Sequence, residues 1–190
     1  MRRTNDHLLT LWKKSSFNSV NNVHIPLGNI FPSDTIKKWM AEGVYNSLVD
    51  NTTYSAGVSV LQPTSTVKNM DNSLLLLVNC HIIYAGGERK GLAFASKVYQ
   101  LIRTLKIIDN LYQYYRSKTP GQSVQVIICG DYNEDLNEPT SFVKSILQKG
   151  IYYDEVMGEI SSPTHLRFLL SGSNVDAKTR YDNFKIIKRT

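Results

Sequence analysis

The sequence predicts an α/β fold, because two buried strands are separated by one long helix. Leu74–Val78 is the longest wholly apolar run, and Val126–Ile128 is a run of β-branched residues. Both patterns are typical of strands that are buried on both faces. Between them, residues 92–116 carry apolar side chains at three- and four-residue spacing, which predicts a helix packed on a sheet. A strand–helix–strand unit of this kind implies a crossover within one sheet.

Shorter elements are predicted on both sides of this unit. Alternation of apolar and polar residues indicates the strands, and a capping residue before an apolar period indicates the helices. Residues 21–33 lack periodicity and carry Asn, Pro and Gly, which predicts a loop. The predicted strands are His7–Trp12, Phe17–Val20, Ala56–Leu61, Leu74–Ile83, a strand from Val124, Leu166–Leu170 and Tyr181–Ile187. The predicted helices are 33–43, Leu92–Arg116 and one from Phe142 that ends at Gly150, while Tyr152–Met157 is ambiguous between states.

Composition limits the class of protein. The 190 residues suit one domain, and the formal charge of +6 favours a polyanionic partner such as nucleic acid. No apolar run approaches the ~20 residues of a membrane helix, and the basic N-terminus lacks the apolar core of a signal peptide. Cys80 and Cys129 end predicted buried strands, which favours free core thiols over a disulfide. We therefore expect an intracellular protein, cytoplasmic or nuclear, without a membrane span.

Polar side chains at the ends of the two buried strands are the candidate site. After Gly130, where the backbone can be closely approached, Asp131 and Asn133 stand two residues apart. Asn79 and His81 repeat that spacing at the end of the preceding strand. A carboxylate on a rigid strand end suits the handling of an activated water or a phosphate. The alternatives are an Asx-type turn after Gly130 and a core histidine with a structural partner at position 81.

These segments resemble a known family. Asn79-Cys80-His81 and Gly130–Asn133 are similar to the Asn-Thr-His and Gly-Asp-Phe-Asn motifs of the endonuclease/exonuclease/phosphatase superfamily. That superfamily includes DNase I, abasic-site endonucleases, neutral sphingomyelinases and nocturnin-type deadenylases. Arg180–Phe184 resembles the family's Arg-x-Asp-Tyr-Ile strand, and His7–Phe17 resembles an upstream family segment. The resemblance implies a DNase I-like αββα sandwich of two sheets, incomplete at both ends, as a single partial domain over residues 1–190.

The resemblance also implies roles for individual residues. His81 would contact the scissile phosphate, and Asp131 would orient and deprotonate the attacking water. Asn133 would hold a phosphate oxygen or, with Asp131, a metal ion, and Asp182 would steady the site from the last strand. Asn79 would contact substrate. The implied cofactor is Mg²⁺ or Mn²⁺, with an incomplete site because the family's upstream glutamate and terminal Asp-His pair have no counterpart here.

Three functions are compatible with these residues. The first is metal-dependent hydrolysis of phosphodiester bonds, with nucleic acid favoured as substrate by the basic charge. The second is a catalytically inactive relative or truncated isoform that binds nucleic acid or a protein. The third is the same chemistry on a phospholipid or an inositol phosphate. Substrate choice resides in variable loops such as 21–33 and 158–178, so the sequence does not distinguish among these substrates.

Overall fold

The computed structural model describes residues 8–27, 54–67, 70, 72–84, 90–155 and 157–169. It shows a mixed α/β fold with a four-stranded sheet and a two-stranded sheet. The elements are β1 Phe17–Pro26, β2 Ser55–Pro63, β3 Ser73–His81, α1 Lys90–Lys118, β4 Ser123–Asp131, α2 Phe142–Gln148, β5 Ile151–Asp154 and β6 Gly158–Ser161. This is consistent with the incomplete DNase I-like fold that the family resemblance implies. No helix within these ranges is long and apolar enough to cross a membrane.

The larger sheet has the order β1-β2-β3-β4. Its first three strands are antiparallel neighbours, whereas β3 and β4 are parallel. A parallel pair needs a crossover connection, and α1 lies within it, as the sequence predicts. The register pairs Leu76 with Val126 and His81 with Asp131, so the two strands end side by side.

The core lies between this sheet and α1. Alternate residues of β3 point to one face, and Leu76, Val78 and Cys80 are fully buried there. On α1, Leu101 and Leu105 are likewise fully buried and belong to the same apolar cluster. The odd-numbered residues of β3, which include His81, point to the opposite face of the sheet.

The smaller sheet and α2 pack beside the start of α1. Ser141 caps α2, since its hydroxyl accepts a hydrogen bond from the backbone N–H of Lys144 at 3.1 Å. Phe142 on α2 lies edge-on to Phe94 of α1 and to Tyr152 of β5, with ring centroids 5.4 and 5.3 Å apart. These aromatic contacts join the β5–β6 pair to the helical layer.

Four predicted segments differ from the structure, and one of them is the predicted loop 158–178, whose first residues form β6 Gly158–Ser161. Residues 8–12 form no strand, and 166–169 form none either. β1 continues through residues 21–26, where the sequence predicts a loop, because pairing with β2 satisfies its backbone after a bulge between Ser19 and Asn21. The alternation in that segment is limited to Val23 and Ile25, too short a period to outweigh its polar residues. The predicted helix 33–43 and the strand Tyr181–Ile187 lie outside the described residues.

Candidate functional site

His81 and Asp131 meet at the carboxyl ends of β3 and β4. They are direct partners in the parallel register. His81 Nε2 lies 4.0 Å from Asp131 Oδ2, and the two side chains retain 21% and 36% exposure. That separation is longer than a direct hydrogen bond and leaves both polar groups open to solvent or to a ligand oxygen.

Asp131 uses one carboxylate oxygen to hold the turn that follows. Its Oδ1 accepts a hydrogen bond of 2.7 Å from the backbone N–H of Asn133. Asn133 has a positive φ of 47°, and its amide donates to the Ile82 carbonyl at 2.8 Å. The Asx-type turn that the sequence allows as an alternative is therefore present. It leaves Oδ2 facing His81, so the turn and the candidate site share one carboxylate.

Gly130 permits the close approach of the two strand ends. Its φ is +135°, and a Cβ at this position would lie 1.9 Å from the backbone oxygen of Cys80. Only glycine avoids both the strained backbone and this clash. The residue type at position 130 thus determines whether Asp131 can lie beside His81.

Tyr132 anchors the turn between the two polar residues. Its side chain points to the opposite side from Asp131 and is 1% exposed. Burial, followed by the neighbouring Cys80, raises the pKa of the Tyr132 hydroxyl well above its ordinary value. Burial also raises the pKa of the Cys129 thiol, which donates to the Val78 carbonyl at 3.1 Å. Cys80 and Cys129 are both thiols outside any disulfide, in agreement with the sequence prediction.

A buried lysine, which the sequence analysis missed, holds the turn from the helix side. Lys97 is 2% exposed, and its ammonium donates to the Asn133 carbonyl at 2.9 Å. The same Nζ lies 2.8 Å from Glu134 Oε2. The other oxygen of Glu134 accepts hydrogen bonds from Ser141 Oγ at 2.6 Å and from the Val143 backbone N–H at 3.1 Å. The network links α1, the Asp131 turn and the start of α2.

Lys97 belongs to a row of buried polar residues on α1. Gln100 and Thr104, which follow it at three- and four-residue spacing, are also buried. Gln100 accepts a hydrogen bond from the Ile83 backbone N–H at 2.8 Å and donates to the Leu27 carbonyl at 3.3 Å. Polar residues at three- and four-residue spacing, next to the apolar residues of the helix, are the sequence signal that could have identified these buried side chains.

The other predicted site residues lie in different situations. The side chain of Asn79 lies on the same sheet face as His81. Its amide donates a hydrogen bond of 3.1 Å to the Leu9 carbonyl, so it is held by the coil of residues 8–12. Asp182 lies outside the described residues. Tyr54, which the sequence analysis did not single out, packs edge-on to His81 with ring centroids 5.1 Å apart. Tyr54 restricts the orientation of the imidazole.

The described residues do not complete a Mg²⁺ site. Mg²⁺ prefers six oxygen ligands in octahedral geometry, usually including one or two carboxylates and several waters. At this sheet edge Asp131 offers one oxygen, since the other is committed to the turn. Across the described ranges, no group of three or more His, Cys, Asp or Glu side chains could hold a metal ion. Within the described residues, this edge therefore presents one carboxylate beside one imidazole, and not a preformed set of metal ligands.

Comparison with known proteins gives matches among solved structures. No family model matches the chain, and no curated protein matches it. ANGEL2, a 2',3'-cyclic phosphatase, in complex with adenosine-2',3'-vanadate, is 21% identical with a TM-score of 0.48, covering 76% of this chain and 33% of that one. The human Nocturnin catalytic domain with bound sulfate anion is 19% identical with a TM-score of 0.39, covering 70% and 36%. An endonuclease/exonuclease/phosphatase family protein from Bacteroides thetaiotaomicron is 14% identical with a TM-score of 0.43, covering 73% and 38%.

The matched structures belong to the superfamily that the sequence resembles. This chain spans about a third of the length of these three matched chains.

Proposed function

We propose that this chain carries a phosphodiester-hydrolysing site at the ends of β3 and β4. The observation that supports the proposal is the juxtaposition of His81 and Asp131, 4.0 Å apart and partly open to solvent. Asp131 Oδ2 can accept the proton of a water molecule as that water attacks phosphorus, and the His81 imidazole can donate a hydrogen bond to a phosphate oxygen. The backbone N–H of Asn133 fixes the carboxylate by holding its other oxygen.

Nucleic acid is the proposed substrate class, and Mg²⁺ or Mn²⁺ is the proposed cofactor. The net charge of +6 supports a polyanionic substrate. Asp131 and Asn133 would contribute to the metal site, and Asp182 would belong to the same constellation. A divalent cation would supply charge stabilisation at the phosphate. We also propose an intracellular location and a single, partial domain over residues 1–190.

The test is hydrolysis of labelled single- and double-stranded oligonucleotides with Mg²⁺, Mn²⁺ or chelator. Asp131→Asn keeps the side-chain volume and an oxygen for the Asn133 turn but removes the proton acceptor. Loss of a general base costs ~10²–10⁴-fold in rate, and we expect a loss of that order. Wild-type and Asp131→Asn proteins with equal rates would refute the role of Asp131.

Asp135→Asn is the matched control. Asp135 is exposed in the same loop, and its Oδ1 also accepts a local backbone hydrogen bond, from Asn137 at 2.9 Å. The substitution and the type of turn are the same at both positions. The strand register, however, pairs His81 with Asp131 and not with Asp135. We expect Asp135→Asn to retain the wild-type rate.

A non-catalytic binding function is the second candidate. The amides of Asn79 and Asn133, both predicted to contact substrate, donate instead to the backbone carbonyls of Leu9 and Ile82. Those hydrogen bonds favour a structural use of the two side chains. This candidate would be supported over hydrolysis if the purified wild-type protein bound the oligonucleotides but did not cleave them under any of the metal conditions.

A further inference from the structure

The outward side of α1 is a basic and aromatic surface. Six residues spaced three or four apart lie on one side of the helix, and we call them the α1 outer face. All six are exposed: Tyr99, Arg103, Lys106, Asn110, Tyr114 and Lys118. Arg103 and Lys118 are separated by ~22 Å along the helix axis, from a rise of ~1.5 Å per residue.

Acidic side chains are absent from the α1 outer face. Asp109 is the single acid among the described side chains of α1; it is half-buried and accepts a hydrogen bond from the Thr164 hydroxyl at 2.8 Å. The exposed acids of the described ranges all follow β4, in the loop and β-ribbon beyond it: Asp135, Glu138, Glu155 and Glu159. The α1 outer face therefore carries charge of one sign, which gives it a positive local field.

The tyrosines present aromatic faces among the cations. Tyr99 is 39% exposed and Tyr114 is 52% exposed, and neither belongs to the buried apolar cluster. Lys118 Nζ lies 5.9 Å from the centre of the Tyr114 ring, so a charge and a π-surface are already adjacent. Cationic side chains interleaved with exposed aromatic rings suit a phosphate backbone with unpaired bases.

We infer that the α1 outer face binds single-stranded nucleic acid. This function goes beyond the proposed hydrolysis, because the face lies on the helix layer and His81 lies on the opposite face of the sheet. An anionic membrane is a poorer fit, since interfacial helices insert aliphatic or aromatic residues of a broad apolar face. The exposed large hydrophobic residues of α1 within the described range are the two tyrosines.

The experiment is fluorescence anisotropy with a labelled single-stranded oligonucleotide across a series of salt concentrations. Chelator and the Asp131→Asn background prevent hydrolysis, so failure of the proposed catalytic function does not affect this result. Each cation that contacts a phosphate of a single strand contributes ~−0.7 to the slope of the logarithm of the binding constant against the logarithm of the salt concentration. The three cations Arg103, Lys106 and Lys118 therefore give an expected slope of about −2. Replacing two of them in Arg103→Ala/Lys106→Ala reduces the slope to about −0.7, or ~25-fold weaker binding at 0.1 M salt.

The matched control is Lys13→Ala/Lys14→Ala. These exposed lysines lie in the turn before β1, and their loss changes the net charge by the same amount. We expect this control to bind as wild type does, whereas Tyr114→Ala weakens binding by ~5–100-fold without changing the slope. Equal effects of the two charge-removing pairs would overturn the inference. So would tighter binding to a duplex, or binding to phosphatidylserine vesicles but not to the oligonucleotide.

Discussion

Replacement of Lys97 by methionine should destabilise the fold strongly. Lys97 is 3% exposed at the side chain, and its ammonium lies 2.8 Å from the Glu134 carboxylate, which is 18% exposed. Methionine fills a similar volume but leaves that carboxylate without its cation and the Asn133 carbonyl without its donor. Breaking a buried pair by removing one partner costs ~3–5 kcal/mol, and we expect ~3 because Glu134 keeps some contact with water. Such a loss is a large share of the ~5–15 kcal/mol that stabilises a typical domain.

Urea unfolding followed by circular dichroism measures the effect as a shift in midpoint at constant slope. Lys106→Met is the control, since Lys106 is exposed on the same helix and should cost less than ~0.5 kcal/mol. The double variant Lys97→Met/Glu134→Gln should be more stable than the sum of the single losses predicts, since the partners are coupled. A Lys97→Met variant within ~1 kcal/mol of wild type would show that the network contributes little, contrary to the usual cost of an orphaned buried charge.

Three further predictions concern the turn and its surroundings. Gly130→Ala should lose more than ~3 kcal/mol, because the new Cβ meets a backbone oxygen at positive φ, whereas Gly57→Ala, with nothing within 4 Å, should be nearly neutral; urea midpoints compare them. Burial raises the pKa of the Tyr132 hydroxyl in the folded state above its value of ~10 in the unfolded chain. The stability that this hydroxyl contributes is therefore fully present below pH ~10 and is lost as the pH rises toward the folded-state pKa. Tyr132→Phe should therefore show a shallower alkaline fall in melting temperature; an unchanged fall would contradict the assignment. Iodoacetamide should alkylate Cys129 more slowly than a solvent-exposed cysteine at neutral pH, because burial raises the pKa of its thiol, and the rate should increase as pH rises. Rapid labelling at neutral pH in mass spectra would contradict this prediction.

The sequence by itself determined the central unit of the fold. Apolar and β-branched runs at Leu74–Val78 and Val126–Ile128, with a helical period between them, are local signals that do not depend on distant partners. The crossover then makes the two strands parallel within one sheet, so polar residues at their ends lie on one edge. That reasoning puts His81 and Asp131 at the same edge, and the pairing of β3 with β4 makes them direct partners. The roles of these residues in catalysis stay predictions.

Tertiary structure alone decided how the site is supported. β1 extends through residues 21–26 because β2 supplies its hydrogen bonds, a pairing between segments that are far apart in the chain. The engagement of Asn79 by Leu9 and the burial of Lys97 against Glu134 also join distant residues, and no local period specifies such partners. Charged side chains on helices are usually solvated, so Lys97 would be placed at the surface by composition. Its burial depends on a carboxylate and a carbonyl that only the folded turn brings within reach of the helix.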